Sequence, residues 1–197
     1  DYYNGLPEAL RTTQTERNRA LALVRYGSAL RTQARLDEGR KAIDEAVQVL
    51  GRMQEQGDRS EITAIGLALG LSTQARLASS MDRDSDALVI STRAVEAIRP
   101  FASAPNASPT LRRAFGEVLN MHGYLQMSNR QESAIATLDE ARDAYRSIDE
   151  LGLSDTSAAA GYAEATAWKA QAYVHVGRVE DALRAGNEVL AVSGQVL

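Results

Sequence analysis

The chain has 197 residues, 44% hydrophobic and 24% charged, enough for one sizeable soluble domain and short for two. A net charge of −4 argues against a nucleic-acid binder that works by covering phosphates. Aromatics make up only 5% of a chain rich in alanine and leucine, which favours closely packed helices over a β-sandwich.

Residues 1–15 form an irregular leading segment. Tyr2, Tyr3 and Leu6 are suited to pack on the first helix, and Pro7 suits a first helical turn. From Glu16 to about Ala34, Leu21, Leu23, Val24, Gly27 and Leu30 follow helical spacing. Asp37 is placed to cap a second helix whose buried stripe is Leu36, Gly39, Ile43, Ala46 and Leu50, and Gly57 closes it. Asp58 and Glu61 read as a capping box opening a third helix at about 59–80, with Ile65, Leu69, Leu71, Ala75 and Ala78 on its apolar positions.

The acidic turn MDRDSD leads into a fourth helix carrying Ala87, Ser91, Ala94 and Ile98, which Pro100 is expected to stop; FASAPNASP reads as loop. Ser108 then Pro109 signal a fifth helix, running to about Met127 through Leu111, Phe115, Val118, Met121 and Leu125. Ser128 and Gln131 suit another capping box before a sixth helix with Ala134, Leu138, Ala141 and Tyr145, broken at Gly152. A seventh, about 156–176, holds Trp168, Ala170 and Tyr173. After a turn at Gly177, an eighth holds Ala182, Gly186, Val189 and Leu190. The expected fold is all-α, eight helices in four antiparallel pairs, with no run that alternates long enough for a strand.

A repeat underlies this order. Gly39, Ala87, Ala134 and Ala182 stand early in each second helix, separated by 48, 47 and 48 residues. Ala46, Ala94, Ala141 and Val189 follow seven later, and Gly27, Ala75, His122 and Ala170 lie twelve before. Small residues at fixed offsets let helix axes approach, and pairs that cannot bury their faces alone bury them by stacking. The repeats run over about 16–56, 58–101, 108–150 and 155–194, within one repeat domain, 16–197.

These residues resemble the tetratricopeptide-repeat family: Gly27 with Leu30, then Gly39, Ile43 and Ala46 in the first repeat; Ala170 with Tyr173, Gly177 and Ala182 in the fourth. The period departs from the family's roughly 34 residues, and in the third repeat His122-Gly123 sets the packing glycine one place late. The longer repeat is similar to those of bacterial regulators. The resemblance implies a right-handed α-solenoid whose first helices line an inner groove.

Its groove positions are Val24, Ser28 and Arg31; Ser72, Arg76 and Ser79; Leu119, Gly123 and Gln126; Ala167, Gln171 and Val174, with His175 adjacent. Ser28, Arg31, Ser72, Arg76, Gln126, Gln171 and His175 are the candidate partner-binding residues, the arginines because their guanidinium forks fit a partner's carboxylate. The family's Lys/Asn/Arg carboxylate clamp is not expected, since Val24 and Ser28 stand where Lys and Asn are needed. Arg31 and Arg76 also have a plainer reading as solvated surface charges. His122 and His175 lack carboxylate partners at ligand spacing, so no metal or other cofactor is expected. MDRDSD lacks the glycine and distal glutamate of a calcium loop, and no catalytic motif stands out.

The expectation is a non-enzymatic scaffold that binds a protein or peptide, cut from a larger bacterial regulatory protein, because the chain starts at Asp1 without a signal segment. The alternative is a sensory repeat domain that binds a small effector or signal peptide and controls an attached output domain. A cytoplasmic location is expected, with the periplasm as the alternative. Direct nucleic-acid binding and membrane insertion are not expected. Val189, Leu190 and Val192 give the terminal helix pair a face for a further repeat or a homodimer.

Overall fold

The computed structural model describes residues 12–149 and 156–196, with side chains described through 148 and from 156 to 190. These residues are all-α, with no strand among them: α1 (Thr13–Thr32), α2 (Leu36–Glu55), α3 (Glu61–Ser79), α4 (Asp84–Ala102), α5 (Pro109–Ser128), α6 (Ser133–Asp149), α7 (Thr156–His175) and α8 (Val179–Val196). The expectations for Tyr2, Tyr3, Leu6, Pro7 and Gly152 fall outside the described residues. The chain divides into two compact units, Asp1–Ile98 and Arg99–Leu197.

In the first unit α1 packs on α2 and α3, and α2 packs on α3. Glycine makes the α1–α2 contact close. A Cβ on Gly27 would stand 2.5 Å from Ile43 Cγ1 and 3.0 Å from the Gly39 carbonyl, and one on Gly39 would stand 3.1 Å from the Gly27 carbonyl. Backbone meets backbone there, which a larger side chain would prevent. On α3, Gly66 and Gly70 receive Leu50, Val47 and Val24 in the same way. Leu30, Ile43, Leu50 and Leu77 fill the core. On α3 the expected Leu71, Ala75 and Ala78 are buried, and Leu67 and Ala68 are buried in place of Ile65 and Leu69, which are half-exposed.

In the second unit α5 packs on α6 and α7, α6 on α7, and α7 on α8. Gly123, one place after the position that Gly27 holds in its repeat, makes room for Leu138, with a would-be Cβ 2.6 Å from Leu138 Cγ. Leu138 is the repeat equivalent of Ile43, so the shifted glycine does the same work. The Tyr145 ring lies between Gly116 and Gly161. The fourth pair is looser: Ala170, Ala182 and Val189 are only half-buried, and no described residue comes within 4 Å of a would-be Cβ on Gly186.

The turns repeat in detail. Ala34, Asp82, Arg130 and Gly177 all have positive φ, between 55° and 76°, and they recur at separations of 48, 48 and 47 residues. At each, the residue itself donates three back and its successor five back: Ala34 to Arg31 and Arg35 to Leu30, Asp82 to Ser79 and Arg83 to Ala78, Arg130 to Met127 and Gln131 to Gln126, Gly177 to Val174 and Arg178 to Tyr173. This is the Schellman termination, which satisfies the last carbonyls of a helix. Gly57 closes α2 in the same manner, as expected.

Several helix starts differ from expectation for this reason. Arg35 is committed to the Leu30 carbonyl and α2 begins at Leu36, so Asp37 sits inside the first turn and does not cap. Ser128 is the last residue of α5 and Gln131 belongs to the turn, so they form no capping box. Asp58 and Glu61 form none either: Ser60 is the cap position of α3, and Asp58 reaches forward to accept from the Ser60 N–H at 2.9 Å and the Thr63 hydroxyl at 2.7 Å. Pro100 does not stop α4, which continues to Ala102. In the last turn a proline forfeits one hydrogen bond, and its exposed ring leaves the freed carbonyl to water. Ser108 caps α5 as expected, its Oγ accepting from the Leu111 N–H at 3.2 Å ahead of Pro109.

Candidate functional site

The first unit brings four of the seven expected residues onto two packed helices. Ser28 and Arg31 lie three apart on α1, and Ser72 and Arg76 four apart on α3, so each serine shares a face with its arginine. α1 and α3 are in contact, and both arginines occupy last helical turns. Ser72 is buried; Ser28, Arg31 and Arg76 are half-buried. Burial pushes the Arg31 guanidinium below its ordinary pKa, and the Arg76 charge pushes it further the same way.

Neither arginine has an ion pair or side-chain hydrogen bond among the described residues, and Arg31 Nε is buried without a partner. Arg17, Arg40, Arg113 and Arg142 also bury an Nε without a partner, but the other sheltered arginines each have an interaction among the described residues. Arg17 meets Asp58 at 3.2 Å, Arg19 meets Glu45, Arg40 meets Asp37 at 3.6 Å, and Arg142 meets Asp139 at 3.1 Å. Arg112 donates to the Ala107 carbonyl at 3.1 Å, and Arg113 also has an interaction. The Ser28 and Ser72 hydroxyls likewise have no hydrogen bond among the described residues. Val24, expected on this face, is buried against α3.

The second unit holds the other three. Gln126 is buried on α5 with Oε1 unpaired, while Gln171 is exposed on α7. His175, in the last turn of α7, donates from Nδ1 to the Met127 carbonyl at 3.1 Å, tying the end of α7 to that of α5. Leu119 and Gly123, expected on the groove side, are core, whereas Ala167 and Val174 are exposed. Trp168 is half-buried against Tyr124, ring centroids 4.8 Å apart. His122 is half-buried, and burial followed by the Arg99 charge lowers its pKa. On α8, Val179, Leu183 and Leu190 form an exposed apolar stripe, with Val189 half-buried; the side chain of Val192 lies outside those described.

Sequence reasoning missed a charged cluster where α6, α7 and α8 meet. Arg142 donates to the Tyr162 hydroxyl at 2.6 Å and pairs with Glu188, which also accepts from Tyr162. Lys169 meets Asp139 at 2.5 Å. Arg142 and Arg146 stack over the Tyr162 ring, at 4.9 and 5.5 Å. Burial pushes the Glu188 carboxyl up, but Tyr162 and Arg142 outweigh it and leave it below its usual range. A buried charge set of this kind persists when each member is paired, and this one is a fastening. The signal was available: Arg142 occupies the repeat position of Val47 and Leu190, an apolar place.

Among the described residues, no three His, Asp or Glu side chains gather as a metal site, and no helix is long and apolar enough to cross a membrane. No protein-family model and no curated protein matches the chain significantly.

Proposed function

We propose that this chain is a tetratricopeptide-like scaffold, an α-solenoid of four antiparallel helix pairs that binds a peptide or protein segment along its first helices. The observation that carries the reading is the recurrence of one turn. Four residues of different type, Ala34, Asp82, Arg130 and Gly177, take the same left-handed conformation in one period. Buried small residues recur with it, Gly39, Ala87 and Ala134, then Ala46, Ala94 and Ala141. First helices lie side by side within each unit, α1 on α3 and α5 on α7, as stacking of repeats requires. Within each unit the two stacked first helices share a face, and an extended segment that crosses both gains contacts without a deep cavity. The module serves a larger bacterial regulatory protein in the cytoplasm, and its partner is a protein rather than a nucleic acid, in keeping with its net charge of −4.

The test is selection of a displayed peptide library on the immobilised chain, followed by titration of the enriched peptides against wild type and the Arg31→Ala/Arg76→Ala double variant. Enriched peptides whose affinity falls at least tenfold in the variant support the scaffold and its α1–α3 face. Failure to enrich any peptide, with a small effector raising the melting temperature instead, would favour a sensory domain.

A further inference from the structure

One contact is made twice, once in each unit. Where α2 packs on α3, Gln74 donates to Asp44 at 2.6 Å. Where α6 packs on α7, Lys169 donates to Asp139 at 2.5 Å. The acceptors stand five residues after Gly39 and Ala134, and the donors one before Ala75 and Ala170, so the two pairs hold equivalent places in the repeat. Beside them the second helix presses large side chains onto small residues of the next first helix. A Cβ on Gly66 would stand 3.2 Å from Leu50 Cδ1, one on Gly70 3.1 Å from Val47 Cγ2, and one on Gly161 2.7 Å from the Tyr145 hydroxyl. Leu50 and Tyr145 are equivalent places, as are Gly66 and Gly161. A second helix and the first helix that follows it therefore meet by one rule.

Helices α8 and α1 each expose one half of that joint. On α8, Asn187 holds the place of Asp44 and Asp139, and Leu190 holds that of Val47. Both are exposed, and exposed Leu183, four residues before Asn187, shares their face. On α1, Tyr26 holds the place of Gln74 and Lys169, and Ala22 that of Gly70; both are exposed. Of the seven large apolar side chains exposed among the described residues, three (Val179, Leu183 and Leu190) are on α8 and a fourth is Tyr26. Pairs that close a stack carry a polar outer face. These two helices carry instead a leucine knob and a small residue fit to receive it.

We infer that α8 of one copy docks on α1 of a second copy as α2 docks on α3 and α6 on α7, so that the chain associates with itself head to tail. Leu190 lies over Ala22 of the next copy, and Asn187 meets its Tyr26. The two surfaces differ, so each copy added brings a fresh α8 and a fresh α1, and association passes beyond the dimer. The inference rests on the helix contacts and goes beyond the peptide-binding reading.

The test is sedimentation velocity of the whole chain over a wide concentration range, with Leu190→Glu and Ala22→Glu as variants at exposed positions whose folding is checked by circular dichroism. Wild type is expected to grow past the dimer as concentration rises, and each variant to weaken self-association at least tenfold. Mixed in equal amounts, the two variants are expected to form a one-to-one dimer and nothing larger, because one keeps a sound α1 face and the other a sound α8 face. Arg93→Glu, exposed on α4, is expected to sediment as wild type. Tyr26→Lys with Asn187→Asp in one chain rebuilds the Asp139–Lys169 pair between copies. That double variant is expected to associate about threefold more tightly than either single one at low salt. A wild-type chain that stays monomeric throughout overturns the inference, as does a mixture of the two variants that stays monomeric. A wild-type chain that stops at the dimer, blocked by Leu190→Glu and untouched by Ala22→Glu, overturns it in favour of a symmetric α8 pair.

Discussion

At the scale of single residues, the second unit is held open at one place by the absence of side chains. Tyr145 is buried with its ring between Gly116 and Gly161. A Cβ on Gly161 would stand 2.7 Å from the Tyr145 Oη and nearer still to the ring, and one on Gly116 would stand 2.7 Å from Cζ. A ring pressed from both sides has nowhere to move, so overpacking outweighs the better helix propensity of alanine. Gly161→Ala is expected to destabilise the chain by about 1–2 kcal/mol in urea unfolding. Gly51→Ala is the control: among the described residues nothing lies within 4 Å of its would-be Cβ, and it is expected to stabilise by about 0.5–1 kcal/mol. Asp58 gives a pH dependence. The Ser60 N–H, then the Ser60 and Thr63 hydroxyls, with the Arg17 charge a lesser influence, lower its pKa from 3.8 to about 2. A depressed carboxyl contributes stability that is complete above the unfolded value and lost as pH falls through the folded one. Stability should therefore decline between about pH 4 and pH 2, and Asp58→Asn should remove a part of that slope on the order of 1 kcal/mol, allowing for solvent screening; urea midpoints across that range measure it.

At the scale of elements, the helices were legible and the places where they turn were only half so. Stripes such as Leu30, Ile43, Leu50 and Leu138 announce themselves by spacing and are fully buried. The turn at Gly177 was readable because glycine takes positive φ freely, but the same conformation at Ala34, Asp82 and Arg130 has no residue-type signal. A second regularity was present and went unread: Arg35 with Glu38, Arg83 with Asp86, and Arg178 with Asp181 pair across the exits of three of the four turns at 2.6–2.7 Å. The structure explains why capping boxes were read wrongly, since the Schellman turn uses the residues that would have capped. An L-residue in that turn is strained by about 1 kcal/mol. Ala34→Gly is accordingly expected to stabilise by about 0.5–1 kcal/mol, and Gly177→Ala to destabilise by a similar amount, both read as shifts in urea midpoint at unchanged slope.

At the scale of the whole chain, the candidate face was legible only where the repeat is regular. Offsets counted from Gly27 and Ala75 put Ser28, Arg31, Ser72 and Arg76 on two packed helices, though Val24 and Ser72 are buried, whereas offsets counted from His122 pointed to Leu119, Gly123 and Gln126, which are all buried. That no described carboxylate pairs with Arg31 or Arg76 was beyond reach, since it depends on which side chains three dimensions bring near. The solenoid reading itself makes a claim about energetics: repeats stabilised mainly by their neighbours lose stability locally. The chain offers a convenient reporter, because its one tryptophan, Trp168, packs on Tyr124 within the second unit, while far-UV circular dichroism sees every helix. In Gly161→Ala the damage is confined to the second unit. The Trp168 fluorescence midpoint in urea should fall, and circular dichroism should lose roughly half its signal early and the remainder at the wild-type midpoint. Gly66→Ala, whose Cβ would stand 3.2 Å from Leu50 Cδ1 and closer to Leu21, should do the reverse, lowering the dichroism midpoint in part and leaving Trp168 in place. Both probes moving together in both variants would mean one cooperative block, and the nearest-neighbour solenoid would have to be given up.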